Sequence, residues 1–221
     1  MRILVVAPHM DDEVLGAGGV IARHVEDGDD VAVCFVAHRV YGHTFDEARN
    51  AAERACAIRA RAVLGYGDAV FLDLPDERLD LSLQQIIIAL ERIVDASRPD
   101  IVYLPHRGDN NQDHRAVFEA ARVVFRPVAT PYLRRLLCYE VPSSTDQSPP
   151  LPETAFLPNA YVGIEHVLDR KLEAFHAYES ERREFPHPRS ERAIRNLAER
   201  RGIESGFAAA EAFVILRDRR A

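Results

Sequence analysis

The chain opens on the stretch MRILVVAPHMDDEVLGAGG, residues 1–19. Within it, Ile3 to Ala7 is a short apolar run rich in valine, which is typical of a strand buried on both faces of a parallel sheet. His9 and three acidic residues at 11–13 follow at once. Because open α/β sheets bind their ligands at the carboxyl ends of their strands, this stretch predicts a parallel sheet with a functional site at its edge.

Outward from this stretch, strand and helix patterns alternate as βαβαβαβ, which predicts an α/β fold with a mostly parallel central sheet. We expect a single domain over 1–221, with residues 142–205 as a C-terminal extension that covers the site. Residues 142–159 form a Pro/Ser-rich connector that is either a lid or a long loop. The predicted strands are 3–7, 31–37, 70–72, 101–104, 136–141 and 213–216, and the predicted helices are 14–26, 47–64, 83–96, 113–125, 167–178 and 190–201, the last ended by Gly202.

Composition and charge narrow the class of partner. The formal net charge is −7, and basic runs are as short as Arg217–Arg220, which argues against nucleic acid and favours a small neutral or cationic substrate. The cysteines Cys34, Cys56 and Cys138 form no CxxC pair, so we expect buried free thiols. Without a charged-then-apolar leader or a run of 18 apolar residues, we expect a cytoplasmic protein with no membrane span.

A second informative stretch, PHRGDNNQDHRAVFEAARVVF, covers residues 105–125 and directly follows the fourth predicted strand. Its Asp113-His114 pair begins a helix at the same sheet edge as His9 and Asp12. Imidazole and carboxylate groups are the usual ligands of catalytic zinc, and three ligands leave a position open for water. His9, Asp12 and His114 therefore form a candidate metal site, and Asp11 remains free to take a proton from the activated water. Amide or ester hydrolysis is the natural reaction class.

Each of these features also has an ordinary structural explanation. A histidine after a strand is often a hydrogen-bonded loop residue, and Asp-Asp before a helix is often an N-cap. Glu13 either orients His9 or interacts with the helix dipole. The glycines Gly16, Gly18 and Gly19 either cradle a phosphate or allow the first helix to pack closely, and their spacing is not G-x-G-x-x-G. Two strand-end clusters at one edge nevertheless favour a site.

These motifs carry a resemblance to a known family. PHMDDEVLGAGG resembles the AHPDDE signature of the PIG-L/LmbE-like N-deacetylases, and GDNNQDHRAV resembles their second signature, in which a DH pair supplies the distant metal ligand. The similarity covers nearly the whole chain. It continues through EVPSST at 140–145, KLEAFHAYESE at 171–181, PHPRS at 186–190 and GFAAAEAFVILR at 206–217.

The resemblance implies a Rossmann-like three-layer sandwich and zinc-dependent removal of acetyl from an N-acetylated amino sugar, such as an N-acetylglucosamine derivative, or its conjugate. It matches His9, Asp12 and His114 to the metal ligands and Asp11 to the general base. Another divalent metal such as Fe²⁺ is compatible with this ligand set. The expected partner is a small N-acetylated molecule, and a homo-oligomer is compatible with the sequence.

The sequence departs from the family pattern in two places. Met10 replaces a proline in the first motif, and Asn111 replaces a histidine thought to stabilise the tetrahedral intermediate or protonate the leaving amine. Candidates for that role are His106, His187 or Asp113 acting on a neighbouring imidazole. Asn111 can still donate a hydrogen bond to an oxyanion, but it cannot act as an acid.

Arg183 and Arg189 are candidate contacts for an anionic group of the substrate. Two other functions fit the same sequence: a metal-dependent amidase or esterase on another acyl substrate, and a non-catalytic protein that binds a sugar or nucleotide. Metal content and acetate release distinguish an enzyme from a binding protein.

Overall fold

The first strand lies at the centre of a seven-stranded sheet in the computed structural model, which describes residues 1–219. Short 3-10 turns at Leu79–Ser82, Thr145–Gln147 and Glu179–Glu181 connect the longer elements. In chain order the elements are β1 (Arg2–Ala7), α1 (Asp12–Glu26), β2 (Asp30–His38), β3 (Val40–Tyr41), β4 (Thr44–Phe45), α2 (Glu47–Leu64), β5 (Asp68–Pro75), α3 (Leu83–Ser97), β6 (Ile101–Pro105), α4 (Gln112–Val124), β7 (Arg135–Tyr139), β8 (Ala160–Gly163), α5 (Leu168–His176), α6 (Glu191–Ser205) and β9 (Ala210–Asp218).

The order of strands in the sheet places the site. It is β5-β2-β1-β6-β7-β9-β8, with parallel pairing from β5 to β7 and antiparallel pairing of β9 with both β7 and β8. The chain moves outward from β1 in one direction through β2 and β5, and in the other through β6 and β7. The carboxyl ends of β1 and β6 therefore form a topological switch point, where ligands bind in open α/β sheets. The predicted mostly parallel α/β fold is confirmed.

The sheet is covered on both faces, because the apolar side chains of β1 alternate between the two faces and all of them need to be buried. Ile3, Val5 and Ala7 belong to a core with side chains of α1, α2, α5 and α6, whereas Leu4 and Val6 belong to a core with α3 and α4. The five side chains from Ile3 to Ala7 are each at most 2% exposed. Each fully buried Val, Ile or Leu stabilises the fold by roughly 1.5–3 kcal/mol, so β1 is fixed firmly beneath the residues that follow it.

Three predictions from the sequence are corrected. Helix α6 continues through Gly202 and ends at Gly206, whose φ of 82° suits glycine. Gly202 serves close packing, because a Cβ there would lie 2.6 Å from the carbonyl oxygen of Phe207. The strand predicted at 70–72 extends over Asp68–Pro75. The sequence pattern also missed the hairpin of β3 and β4 and strand β8, all of which are short.

The cysteines Cys34, Cys56 and Cys138 are buried and free, as expected. Within residues 1–219, no helix is both long and apolar enough to cross a membrane.

Candidate metal and catalytic site

The turn after β1 places two adjacent aspartates in different directions. Asp11 occupies the N-cap position of α1 with φ of 124°, a left-handed conformation that is strained for a residue other than glycine. The next residue, Asp12, begins the helix, and its Oδ2 accepts a hydrogen bond of 2.8 Å from the backbone N–H of His9. The tight turn therefore directs Asp12 back over β1 and leaves Asp11 to face elsewhere.

Three side chains converge at the switch point. Oδ2 of Asp12 lies 3.4 Å from Nδ1 of His9 and 3.2 Å from Nε2 of His114, which is in the first turn of α4. The two imidazole centroids are 5.3 Å apart, and all three residues are at most 3% exposed. One ligand atom from each residue thus points into a common space, and the three atoms lie within 4.8 Å of one another.

The second nitrogen of His9 is held by carboxylates. Its Nε2 lies 2.9 Å from Oδ1 of Asp76 and 3.3 Å from Oδ2 of Asp113. Asp113 also accepts hydrogen bonds from the backbone N–H groups of Glu77 at 2.6 Å and Leu79 at 3.1 Å. These contacts attach the turn after β5 to the site. They also orient the ring of His9 so that Nδ1 faces the other ligand candidates.

His114 is supported in the same way from the other side. Its Nδ1 lies 3.2 Å from Oδ2 of Asp109, whose carboxylate accepts a 2.6 Å hydrogen bond from Oγ1 of Thr145 and a bond from the hydroxyl of Ser144. A carboxylate behind a metal-binding histidine fixes the ring orientation and raises its basicity. Sequence reasoning missed both Asp76 and Asp109 as supporting residues, although each lies just past the end of a strand.

The charges around the cluster favour a cationic occupant. Burial by itself lowers the pKa of both imidazoles, but the surrounding carboxylates outweigh it, and the pKa of His114 is raised to about 9. The pKa of His9 lies well above its ordinary value for the same reason. Burial raises the pKa of Asp12, yet His114 and His9 hold it well below its ordinary value. A divalent ion bound here replaces the positive charge that the carboxylates otherwise keep on the imidazoles.

Asp11 lies beside this cluster with one oxygen engaged and one not. Its Oδ2 accepts a 2.8 Å hydrogen bond from Nη1 of Arg189, while Oδ1 is buried without a hydrogen-bond partner among residues 1–219. Burial raises the pKa of Asp11 to about 7, against the lowering effect of Arg189. An orphaned carboxylate oxygen beside a three-ligand set fits a site that binds a metal ion and its water.

Glu13 lies in the first turn of α1, as its helix-dipole role requires, but it does not orient His9, the other role considered on sequence grounds. Among residues 1–219 its carboxylate contacts the backbone N–H of Asp11 at 3.1 Å and the hydroxyl of Tyr178 at 2.6 Å, rather than His9. It is fully buried, and burial raises its pKa to about 8. Glu13 therefore holds the strained backbone of Asp11 in place, and Tyr178 from the C-terminal part of the chain completes that support.

The remaining predicted site residues lie outside the cluster of His9, Asp12 and His114. His106 is buried, its Nε2 is 3.1 Å from the carbonyl oxygen of Thr154, and its ring meets Phe156 edge-on. Asn111 is the N-cap of α4, and its Oδ1 accepts from the N–H of Asp113 at 2.8 Å. Exposed His187 accepts at Nδ1 from the N–H of Arg189 at 3.0 Å, and exposed Arg183 donates to nearby carbonyls.

The glycines of α1 serve packing. A Cβ on Gly16 would lie 2.2 Å from Tyr139, and one on Gly19 would lie 2.7 Å from Ile164, so these neighbours occupy the space. The phosphate cradle considered for this run is therefore wrong. The N–H groups of Gly19 and Val20 instead donate to the carboxylate of Glu211 at 2.8 and 2.7 Å.

The carboxylate of Glu211 also accepts a 2.6 Å hydrogen bond from Nζ of Lys171, which donates as well to the carbonyl oxygen of Leu15 at 2.9 Å. Lys171 is the chain's only lysine, although Lys and Arg together number 28. The ammonium group of Lys171 is a compact charge on a flexible stem, which reaches the backbone of α1 and the carboxylate of Glu211 together. This buried pair ties α5 and β9 to the middle of α1.

A buried His-Asp-His cluster beside a carboxylate with one unpartnered oxygen, at the switch point of an α/β sheet, is an arrangement that can hold a metal ion and accept a proton from water. The sequence model of the family described as PIG-L, GlcNAc-PI de-N-acetylase, matches residues 4–125. The match covers more than half of the chain, and the chain belongs to this family, as the two sequence motifs predicted.

Individual relatives agree with this assignment. YaiS of Escherichia coli K12, an uncharacterized deacetylase, is 29% identical in an alignment of 189 residues that covers 80% of this chain and 90% of YaiS. A conserved protein of Thermus thermophilus has a similar structure with a TM-score of 0.80 and 24% identity, over 99% of this chain and 96% of that protein.

Two similar structures belong to enzymes with different reactions. The N,N'-diacetylchitobiose deacetylase of Pyrococcus horikoshii has a TM-score of 0.74 and 23% identity, over 97% of this chain and 83% of that enzyme. The 4-carboxy-2-hydroxymuconate hydratase GalB of Pseudomonas putida KT2440 has a TM-score of 0.75 and 21% identity, over 100% and 98% of the two chains. The fold by itself therefore does not select the reaction.

Proposed function

We propose that this protein is a metal-dependent N-deacetylase that uses Zn²⁺, or another divalent ion such as Fe²⁺, to remove acetyl from an N-acetylated amino sugar or its conjugate. The observation that carries the proposal is the convergence of His9, Asp12 and His114 beside the unpartnered Oδ1 of Asp11. Family membership supports the reaction, and the chitobiose deacetylase among similar structures supports a sugar substrate.

His9 Nδ1, Asp12 Oδ2 and His114 Nε2 are the atoms we assign to the metal, because these atoms face one another. When bound, a divalent ion polarises the amide carbonyl and lowers the pKa of water to about 7. Asp76 and Asp113 behind His9, and Asp109 behind His114, hold both rings in the orientation that presents these nitrogens.

Asp11 is the proposed general base. Oδ1 is the oxygen left to accept a proton from the attacking water, since Oδ2 is bound by Arg189. Glu13 fixes the backbone of Asp11 from behind through its N–H. Arg189 limits movement of the carboxylate and favours its anionic form in a buried place, so that Oδ1 is held ready to receive the proton.

We assign the proton donor for the leaving amine to His187. The N–H of Arg189 donates to Nδ1, which places the ring proton on Nε2, and the exposed ring is free to meet a substrate. His106 is less suited, because its Nε2 is engaged by the carbonyl oxygen of Thr154 and burial lowers its pKa. Asn111 uses Oδ1 as the helix cap, which leaves its amide hydrogens as donors toward an oxyanion.

The compartment that we propose for this protein is the cytoplasm.

The connector 142–159 is the segment that we propose as a lid over the site. The connector packs on the loop of the second motif, since Ser148 donates to the carbonyl oxygen of Gly108 at 2.7 Å and Thr145 bonds Asp109. A lid at this position excludes water from the reacting amide when it closes.

A substrate panel tests the function. The zinc-loaded protein is incubated with N-acetylglucosamine, diacetylchitobiose, an O-acetyl ester, an N-acylated amino acid and an unsaturated carboxylic acid, and acetate, free amine and hydration product are quantified. We expect amine and acetate in equal amounts from the N-acetyl sugars. Turnover of the ester or the amino acid alone identifies another acyl hydrolase, hydration alone identifies a hydratase, and binding without any product identifies a sugar-binding protein.

A further inference from the structure

A cavity borders the candidate site on the side of the segment 182–192. Its volume is about 210 Å³, and Arg189 is part of its wall. Because Nη1 of Arg189 also bonds the carboxylate of Asp11 at 2.8 Å, a single arginine side chain separates this cavity from the proposed base. Pockets that enclose a whole drug-sized ligand measure about 300–1,000 Å³, so this cavity suits one group of a larger substrate.

The charge of the cavity wall is opposite to that of the protein as a whole. Four arginines, Arg182, Arg183, Arg189 and Arg192, line the cavity together with two carboxylates, those of Glu184 and Glu191. Even with Arg189 set apart because Asp11 and Glu181 pair with it, three arginines face two carboxylates in a chain whose formal net charge is −7. A local field of this sign raises the concentration of anions at the cavity and orients them toward it.

Two of the arginines that line the cavity, Arg183 and Arg192, are not neutralised by nearby acids, whereas Arg189 is paired with Asp11 and Glu181. Arg183 donates to the backbone carbonyls of Ser180 and Arg182, and Cζ of Arg192 lies 4.2 Å from the ring centroid of Phe185. In residues 1–219 the structure shows no carboxylate partner for either guanidinium. Glu191 is paired within the wall itself, because its Oε2 lies 3.1 Å from Nε2 of His176, which also lines the cavity. The two guanidinium groups are therefore held in position by neutral contacts, with their charge available to a ligand.

We propose that this cavity binds an anionic group, a phosphate ester or a carboxylate, that is carried by the N-acetylated substrate. Guanidinium groups bind both kinds of anion through paired N–H donors, which fixes orientation as well as adding affinity. The inference rests on the proposed deacetylase function and narrows its substrate class to acidic N-acetyl sugars. One sugar ring then connects the anion in the cavity to the acetamide beside Asp11, with Arg189 between the two.

The test compares matched substrates. Rates of acetate release are measured for methyl N-acetylglucosaminide, which is neutral, for N-acetylglucosamine 1-phosphate and for N-acetylmuramic acid, which carries a carboxylate. We expect kcat/KM to be about tenfold or more higher for one of the acidic substrates, the range for hydrogen bonds to a charged group. The preference should shrink at high salt, because these arginines are partly exposed.

Variants connect the preference to the cavity. Arg183→Ala and Arg192→Ala should each lower the ratio of acidic to neutral kcat/KM by about tenfold or somewhat less, whereas Arg183→Lys should restore only part of it because the fork of donors is lost. Arg189→Ala is unsuitable, because that residue also contacts Asp11. Arg200→Ala is the matched control: it removes one charge from the helix that carries Arg192, at a position where Arg200 is 75% exposed and pairs with Glu204.

Calorimetry with glucosamine 1-phosphate, which has no acetyl group to remove, separates this inference from the proposed function. If no N-acetyl sugar is turned over but this product binds the native protein more tightly than Arg183→Ala, the cavity proposal holds and the deacetylase proposal fails. If sugars are deacetylated without any preference for the acidic ones, and the variants leave the ratio unchanged, the cavity proposal is overturned while the deacetylase proposal stands.

Discussion

Residues 1–125 and residues 126–219 contribute to the site in different ways. The first part supplies every candidate ligand, His9, Asp12 and His114, at the ends of the adjacent parallel strands β1 and β6. The second part supplies none of the three, but it reaches back to the turn that carries them. The first part therefore provides the donor atoms and the carboxylates that orient them, whereas the second part supports the turn of Asp11 and the helix that follows it.

Three contacts show how the second part acts. Arg189 bonds the carboxylate of Asp11, and Tyr178 bonds Glu13, which holds the backbone of Asp11. The pair of Lys171 and Glu211 is inserted between turns of α1. All three contacts converge on α1 or its first turn, so we expect substitutions in the two parts to have effects of different kinds.

The largest effect on turnover is expected from the base in the first part. Asp11→Asn should lower kcat by roughly 10²- to 10⁴-fold with unchanged metal content, because no carboxylate then accepts the proton of the attacking water. Metal analysis and acetate release on the same preparation check this. Asp12→Asn is the matched control and should lose metal together with activity. If Asp11→Asn is instead the variant that loses metal, the roles of these neighbours are exchanged.

A large effect on stability is expected from the buried pair in the second part. Lys171→Ala leaves Glu211 as an uncompensated buried charge and should lower the free energy of unfolding by roughly 3–5 kcal/mol, as measured by urea denaturation. The double variant Lys171→Met/Glu211→Gln should lose less than the sum of the two single variants, because the lone charge is gone. Strictly additive losses would show that the two residues act independently.

His187 is the one residue of the second part to which we assign a step of the proposed reaction, the proton transfer to the leaving amine. His187→Ala should reduce kcat by about 10²-fold while metal content and folding stay unchanged, the usual range for losing a general acid. His106→Ala is the comparison variant, and we expect a smaller loss of turnover from it. A larger loss from His106→Ala would show that His106, in the loop of the second motif, is the general acid. All of the residues assigned to the reaction would then lie in residues 1–125.

A smaller effect is expected from the carboxylates behind the ligands. Asp76→Asn should weaken zinc binding by about 10- to 100-fold, as measured by competition with a chromophoric chelator, because the ring of His9 loses its support. Asp80→Asn removes an equal charge from an exposed position in the next turn and should change little. Equal affinities of these two variants would show that Asp76 does not position His9.

The parts of the site that the sequence predicted are those governed by local patterns. Apolar runs followed by His and Asp are visible in the first 19 residues and again at 105–114, and parallel topology brings such strand ends together. The structure indeed places His9, Asp12 and His114 within contact distance of one another. The strand patterns were enough for this, because His9 and Asp12 lie in the turn directly after β1, and His114 lies in the first turn of the helix that follows β6.

The parts that the sequence missed depend on contacts between distant residues. Glu211 is 191 residues from Val20, and no local period indicates that its carboxylate binds the middle of α1. Asp76 was missed because the strand before it was predicted to end at 72, whereas β5 continues to Pro75 and delivers Asp76 to the edge. Strand β8 was missed because its four residues follow a Pro-rich connector and are mostly half-buried.

The central claim is that a metal held by His9, Asp12 and His114 supports amide hydrolysis. The most direct test is to strip the protein with a chelator, add zinc in steps, and measure bound metal and acetate release from an N-acetyl sugar at each step. His166→Ala, which removes a half-exposed histidine from the surface, serves as the control for His114→Ala. We expect acetate release to rise with metal up to one equivalent in the native protein and the control, and His114→Ala to retain little metal and little activity. Full activity of the stripped protein, or full metal binding by His114→Ala, would contradict it.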